Sequence, residues 1–133
     1  MSLSRVVCEM TENQDYDSDP QSKIVLQVVL TSENRINTEI QSFGYNTCWT
    51  GHGTTYKKYP FILQVDTDAL APFRLDYGGH DEKSEDRLNL QSKTIKAGEM
   101  FTYYECRDGE RSEYIYQITG VTPIDTGEKS GRG

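Results

Sequence analysis

Apolar residues along this chain recur at a period of two, and the alternation is cut at short intervals by Gly, Pro, Asp and Asn. The strongest run is Lys23 to Thr31. There Ile24, Leu26, Val28 and Leu30 share one face while Val25, Gln27 and Val29 share the other, which predicts a central strand covered on both sides. Arg87 to Val121 reads as a three-stranded meander. Leu88 and Leu90 alternate with polar neighbours, Lys96-Ala97-Gly98 breaks the run, and Glu99 to Cys106 is rich in aromatic residues and Thr. Asp108-Gly109 then breaks it again before Tyr114-Ile115-Tyr116-Gln117-Ile118.

Weaker signals fill the rest. Val6 to Met10 suits a short first strand. Phe43, Tyr45, Thr47 and Trp49 alternate within a strand from about Thr38 to Trp49, and Phe61, Leu63 and Val65 share a face between Tyr56 and Val65. Pro60 cannot donate to a ladder, so that strand needs an edge position or a bulge. Phe73, Leu75 and Tyr77 form one further short strand, and the polar stretches Thr11 to Ser22 and Gly78 to Asp86 read as exposed loops. About eight strands with frequent turn signals predict an all-β single domain, an antiparallel β-sandwich or partly open barrel with the C-terminal meander as scaffold. The domain is expected over residues 1–124, with 125–133 as a flexible tail.

Composition narrows the picture. A chain of 133 residues, 35% hydrophobic with nine Tyr, four Phe and one Trp, can fill one two-layer interior and not two. The net charge of −7 makes duplex nucleic acid a poor partner and suits a basic protein partner. No run approaches the ~18 apolar residues of a membrane helix, so no membrane association is expected. No secretory leader is visible, and Cys8, Cys48 and Cys106 are widely spaced and odd in number. Reduced thiols in a cytoplasmic protein are the expectation.

Several residues carry candidate chemistry. Asp15, Asp17 and Asp19 alternate like the first ligands of a calcium loop, yet Pro20 and Leu26 stand where that loop needs its Gly and its bidentate acid. Cys48-x3-His52 is one loose pair with no second pair to complete a zinc site, so no metal and no cofactor are expected. Cys48, His52 and His80 supply atom types for nucleophilic catalysis without any motif that organises them. Tyr103, Tyr104, Tyr114 and Tyr116 cluster on two neighbouring strands, one face of which is expected to expose Tyr rings for contact. Tyr104-Glu105-Cys106 resembles the Tyr-x-Cys of immunoglobulin domains. Gly98 lies too far upstream to lead that motif and the strongest early strand carries no Cys, so the family is not indicated.

These readings converge on a non-catalytic acidic binding protein, of an inhibitor or immunity type acting on a basic partner. The candidate binding residues are Tyr103, Tyr104, Tyr114, Tyr116, Asp15, Asp17, Asp19, His52 and His80. The alternatives are a structural subunit of a larger assembly, built through edge-strand pairing, and a small enzyme using Cys48, His52 or His80.

Overall fold

The alternation becomes eight strands, each hydrogen-bonded to its neighbours in sequence: β1 (Ser2–Met10), β2 (Lys23–Leu30), β3 (Ser42–Thr50), β4 (Thr55–Val65), β5 (Phe73–Asp76), β6 (Ser84–Leu88), β7 (Met100–Arg107) and β8 (Glu110–Pro123). The structure, a computed structural model, describes residues 2–11, 23–50, 55–67, 70–78, 84–107 and 109–124. Every ladder is antiparallel, and β8 returns to pair with β1, so the sheet closes into an up-and-down barrel. Of the two architectures expected, a sandwich or a partly open barrel, the structure is nearer the second, with the barrel closed. No helix occurs among the described residues. The proposed tail, 125–133, lies outside them.

Closure puts one face of every strand into a shared interior. Val6 and Cys8 of β1, Ile24, Leu26, Val28 and Leu30 of β2, Phe61 and Leu63 of β4, Phe73 and Leu75 of β5, Leu88 of β6, Phe101 and Tyr103 of β7, and Tyr116 and Ile118 of β8 form one buried cluster. Charged residues such as Arg5, Arg74, Arg87 and Glu113 occupy the opposite parity and face outward. Apolar inside and charged outside is the reverse of the alternation in a lipid-facing barrel.

One end is closed by connections that fold back under the strands. Thr31 N–H donates to the Arg35 carbonyl, Ile36 forms a bridge with Leu30, and Ile95 N–H donates to the Asn34 carbonyl at 2.7 Å. Ile36, Ala71, Leu90 and Ile95 are thereby buried as the floor of the barrel. Arg87, on the outer face of β6, holds the β4–β5 connection: its guanidinium bonds both Asp66 carboxylate oxygens at 2.8 Å and the Ala71 carbonyl at 3.1 Å.

β2 is covered fully on one face and largely on the other, where Val25 is buried and Gln27 and Val29 are half-buried. One expectation needs correcting: Gly78 to Asp86, read as an exposed loop, enters β6 at Ser84, and Asp86 is buried. In β3, which starts at Ser42, Phe43 and the residues of its parity lie outward. Phe43 is 49% exposed on the outer surface, paired across the strand with the exposed Ile62, while Ser42, Gly44 and Asn46 face inward. The reason is Gly44, which lies opposite Leu26. A Cβ there would sit 2.2 Å from the Val25 carbonyl oxygen and 3.1 Å from the Leu26 Cα, so β3 crosses β2 at a distance only glycine allows. Pro60 is tolerated because β4 outruns β5: the β4–β5 ladder runs only from Ile62↔Asp76 to Val65↔Phe73. The ladder closes around the barrel, and among the described residues the stretch of β4 before Ile62 is the part that β5 does not pair.

Leu26→Ala is expected to cost roughly 2–5 kcal/mol by opening a cavity in the packed interior. Gly44→Ala, although it adds only a methyl group, should also lower the urea midpoint clearly, because the group it meets is backbone. An unchanged midpoint for either variant would mean that the β2–β3 contact does not hold the barrel together.

Candidate functional site

The other end of the barrel is lined differently. Wall height follows strand length. β4 and β8 are long, at 11 and 14 residues, while β5 and β6 have four and five, so among the described residues the strands are shortest on the β5–β6 side. There the inward row of β6 carries Asp86, two residues from Leu88 and hence on the same face. Asp86 is 5% exposed, a buried carboxylate on the inward face above the apolar core. Its position has a cost unless hydrogen bonds compensate, and the Tyr103 hydroxyl donates to its Oδ2.

From there a chain of polar groups climbs to the rim. The Tyr103 hydroxyl also bonds that of Tyr77, and Asn46 Nδ2 on β3 donates to the Tyr77 oxygen. Since the Tyr103 proton goes to Asp86, Tyr77 is the donor between the two phenols. Every donor along Asn46, Tyr77 and Tyr103 therefore points toward the carboxylate. Tyr77 follows β5 directly, and its place is fixed by a turn in which Gly78 N–H donates to Asp76 Oδ1 at 2.9 Å. Its ring meets Phe61 edge-on at a centroid distance of 5.5 Å, spanning the mouth from β5 toward β4.

Around this chain stand further inward positions. Glu105 is directly opposite Asp86 in the β6–β7 ladder. Tyr114 is half-buried, with its ring edge-on to Tyr103 at 6.4 Å. Tyr59 shares the parity of Phe61 and is 42% exposed at the rim, with Lys57 exposed one step further out on that row. Among the described residues, two carboxylates, one lysine and three phenol rings (Tyr59, Tyr77 and Tyr114) thus belong to this end of the barrel. Carboxylate plus aromatic face is the chemistry that receives an organic cation.

The predicted Tyr set divides. Tyr103 and Tyr116 lie inside the barrel, the latter stacked on Phe101 at 5.8 Å. Tyr114 reaches the mouth. Tyr104 faces outward yet is 8% exposed, covered by the Arg111 guanidinium 4.4 Å from its ring centroid. The flat exposed Tyr face that the alternation suggested is therefore not formed by these four. Asp15, Asp17, Asp19, His52 and His80 lie outside the described residues, as does the side chain of Cys48. Cys8 and Cys106 are free thiols, and no cluster of metal-ligating side chains occurs among the described residues. Sequence reasoning placed Asp86 at the end of an exposed acidic loop, whereas it lies buried on β6, and it did not single out Tyr77 or Asn46. The parity of Asp86 with Leu88 and Leu90 was the signal that could have placed it inside.

Comparison of the chain with protein-family models, with characterised proteins and with solved structures returns no match.

Burial first, then the neighbouring Tyr77 and Asp86, push the Tyr103 phenol well above its usual value of 10.0. A raised value means that the fold favours the protonated form. This stabilisation is complete below pH 10 and is lost as pH climbs toward the folded value. Burial likewise pushes the Cys8 thiol upward from 9.0, so its contribution begins to fall at lower pH. Alkaline unfolding should accordingly be steeper in the native protein than in Tyr103→Phe above pH 10, with the two alike between pH 9 and 10. Identical curves throughout would show that the Tyr103 proton is not held by the fold.

Proposed function

We propose that this is a non-catalytic binding protein whose barrel mouth receives a basic side chain of a protein partner. The observation that carries the reading is Asp86, a buried inward-facing carboxylate hydrogen-bonded by Tyr103 and opposite Glu105 in the ladder. Well-packed apolar residues at such a position commonly stabilise a fold more than buried charge does. A binding role accounts for keeping the charge there. A lysine or arginine head group entering between Tyr59, Tyr77 and Tyr114 would meet aromatic faces first and the carboxylates below them. The net charge of −7 would steer a basic partner toward the protein over distances that salt screens. Asp15, Asp17 and Asp19 enter this proposal through that charge alone.

The test uses N-acetyl-arginine amide and N-acetyl-lysine amide as probes and N-acetyl-norleucine amide as the neutral control, followed by NMR. The cationic probes should shift resonances of Tyr77, Tyr103 and Tyr114, weaken with added salt, and lose roughly 10- to 100-fold in affinity in Asp86→Asn. Norleucine amide should bind far more weakly. The double variant Asp86→Leu/Tyr103→Phe should keep or gain stability while losing the probes. Equal binding of the neutral probe, or a double variant that binds as the native protein does, would refute the reading.

A further inference from the structure

β4 runs on past β5. The β4–β5 ladder ends at Ile62↔Asp76, and in that register Gly78 would come opposite Pro60. Gly78 has a φ of 80° and donates its N–H to the Asp76 carboxylate, so the chain turns out of the ladder there. β4 keeps its pairing with β3 beyond that point, from Gly44↔Phe61 to Thr50↔Thr55. Among the described residues, no ladder covers its other side over this stretch.

One bond fixes which backbone groups face that side. Asp66 N–H donates to the Pro72 carbonyl, toward β5. Backbone groups alternate sides along an antiparallel strand, so those of Ile62, Pro60, Lys58 and Tyr56 face the same way. The N–H and C=O groups of Tyr56 and Lys58, with the Pro60 carbonyl, therefore form a short edge. The N–H that proline lacks would have faced this edge and not β3. Lys57, Lys58, Tyr59 and Pro60 are exposed. Lys57 and Lys58 project to opposite faces, and the Lys58 ammonium lies on the outer one, 4.8 Å from the Tyr45 ring centroid. Their partners across β3 are Cys48 and Thr47, and among the described residues neither lysine has an ion pair.

We propose that this edge of β4 takes up an extended acidic segment of a partner protein as an added strand. Its backbone pairs with Tyr56 and Lys58, and successive carboxylates lie beside Lys58 on the outer face and Lys57 at the rim. In strand addition, main-chain bonds supply affinity and the neighbouring side chains supply selectivity. A second copy of this chain fits poorly. The symmetric registers that pair most of the edge centre on Lys57 or Lys58 and set that residue against its counterpart, and like charges directly opposite are unfavourable. An acidic strand turns the same positions into favourable cross-strand pairs. The net charge of −7 opposes an acidic partner at long range, where salt screens it, whereas these pairs act at contact. The site does not use Asp86, so it stands whether or not the mouth takes a basic group.

The probe is the blocked hexapeptide Thr-Val-Glu-Glu-Val-Thr, with Thr-Val-Lys-Lys-Val-Thr as its charge-reversed control. Each is titrated into the full chain and followed by amide NMR and hydrogen exchange. The acidic peptide should shift the Tyr56 and Lys58 amides and protect them from exchange. The Lys57 and Tyr59 amides, which point to β3, should keep their exchange rates, and the lysine peptide should bind clearly more weakly. The double variant Lys57→Glu/Lys58→Glu, changed only at exposed positions, should fold normally, lose roughly 10-fold in affinity for the acidic peptide and gain affinity for the lysine peptide. Asp86→Asn should bind the acidic peptide at least as well as the native protein does, which separates this site from the mouth. Tyr56 and Lys58 amides left unprotected, a lysine peptide that binds as well as the acidic one, a double variant that binds as the native protein does, or weaker binding in Asp86→Asn would each overturn the proposal. So would dimerisation of the chain alone that protects the same two amides.

Discussion

β1 lies between β2, its successor in sequence, and β8, which arrives more than a hundred residues later, and the rest of the structure depends on that second ladder. It pairs Ser4 with Pro123 at one end and Met10 with Tyr116 at the other, with a register shift between Val7 and Cys8. The shift arises because Val7 faces Gly120 while Cys8 faces Ile118, which leaves Thr119 as the extra residue of a bulge. A bulge adds local twist, and twist is what lets an eight-stranded sheet meet itself. With the seam made, every strand has a neighbour on both sides for at least part of its length, and the inward residues face one another across a common lumen. Without it, Val6, Cys8 and Ile118 would lie on two separate margins of an open sheet.

The two ends of that lumen follow from the connections. The β2–β3 and β6–β7 segments bring Ile36, Leu90 and Ile95 under the strands and join each other through Ile95 and Asn34. The opposite end receives polar side chains on the inward parity: Asn46, Asp86 and Glu105. Packing therefore fixes one end and leaves chemistry at the other. Tyr77 links the two regimes, with its ring on Phe61 and its hydroxyl in the polar chain.

The inward face of β2 was legible in the sequence because four aliphatic residues share one parity in the most apolar strand, and all four are buried. The phase of β3 was not. Its aromatics form the stronger alternating set, but the close crossing at Gly44 decides the register, and that distance belongs to tertiary structure. Asp86 was hidden for a related reason. Ser84-Glu85-Asp86-Arg87-Leu88 is too polar to look like a strand, and it becomes one only because β5 and β7 flank it. Tyr103 and Tyr116 were recognised as a cluster; their place in the lumen followed from closure, which local patterns do not encode.

Cys8 gives the seam a chemical clock. Its thiol is fully buried beside the bulge, and burial holds it protonated. A sulfhydryl reagent can reach it only while β1 comes away from β2 or β8, whereas Cys106, half-buried on the outer face of β7, is partly exposed in the closed barrel. Two thiols of one molecule thus report different quantities: Cys106 the intrinsic speed of the reagent, and Cys8 that speed multiplied by the fraction of time the barrel spends unzipped. Their ratio measures the free energy of local opening at the joint on which closure depends.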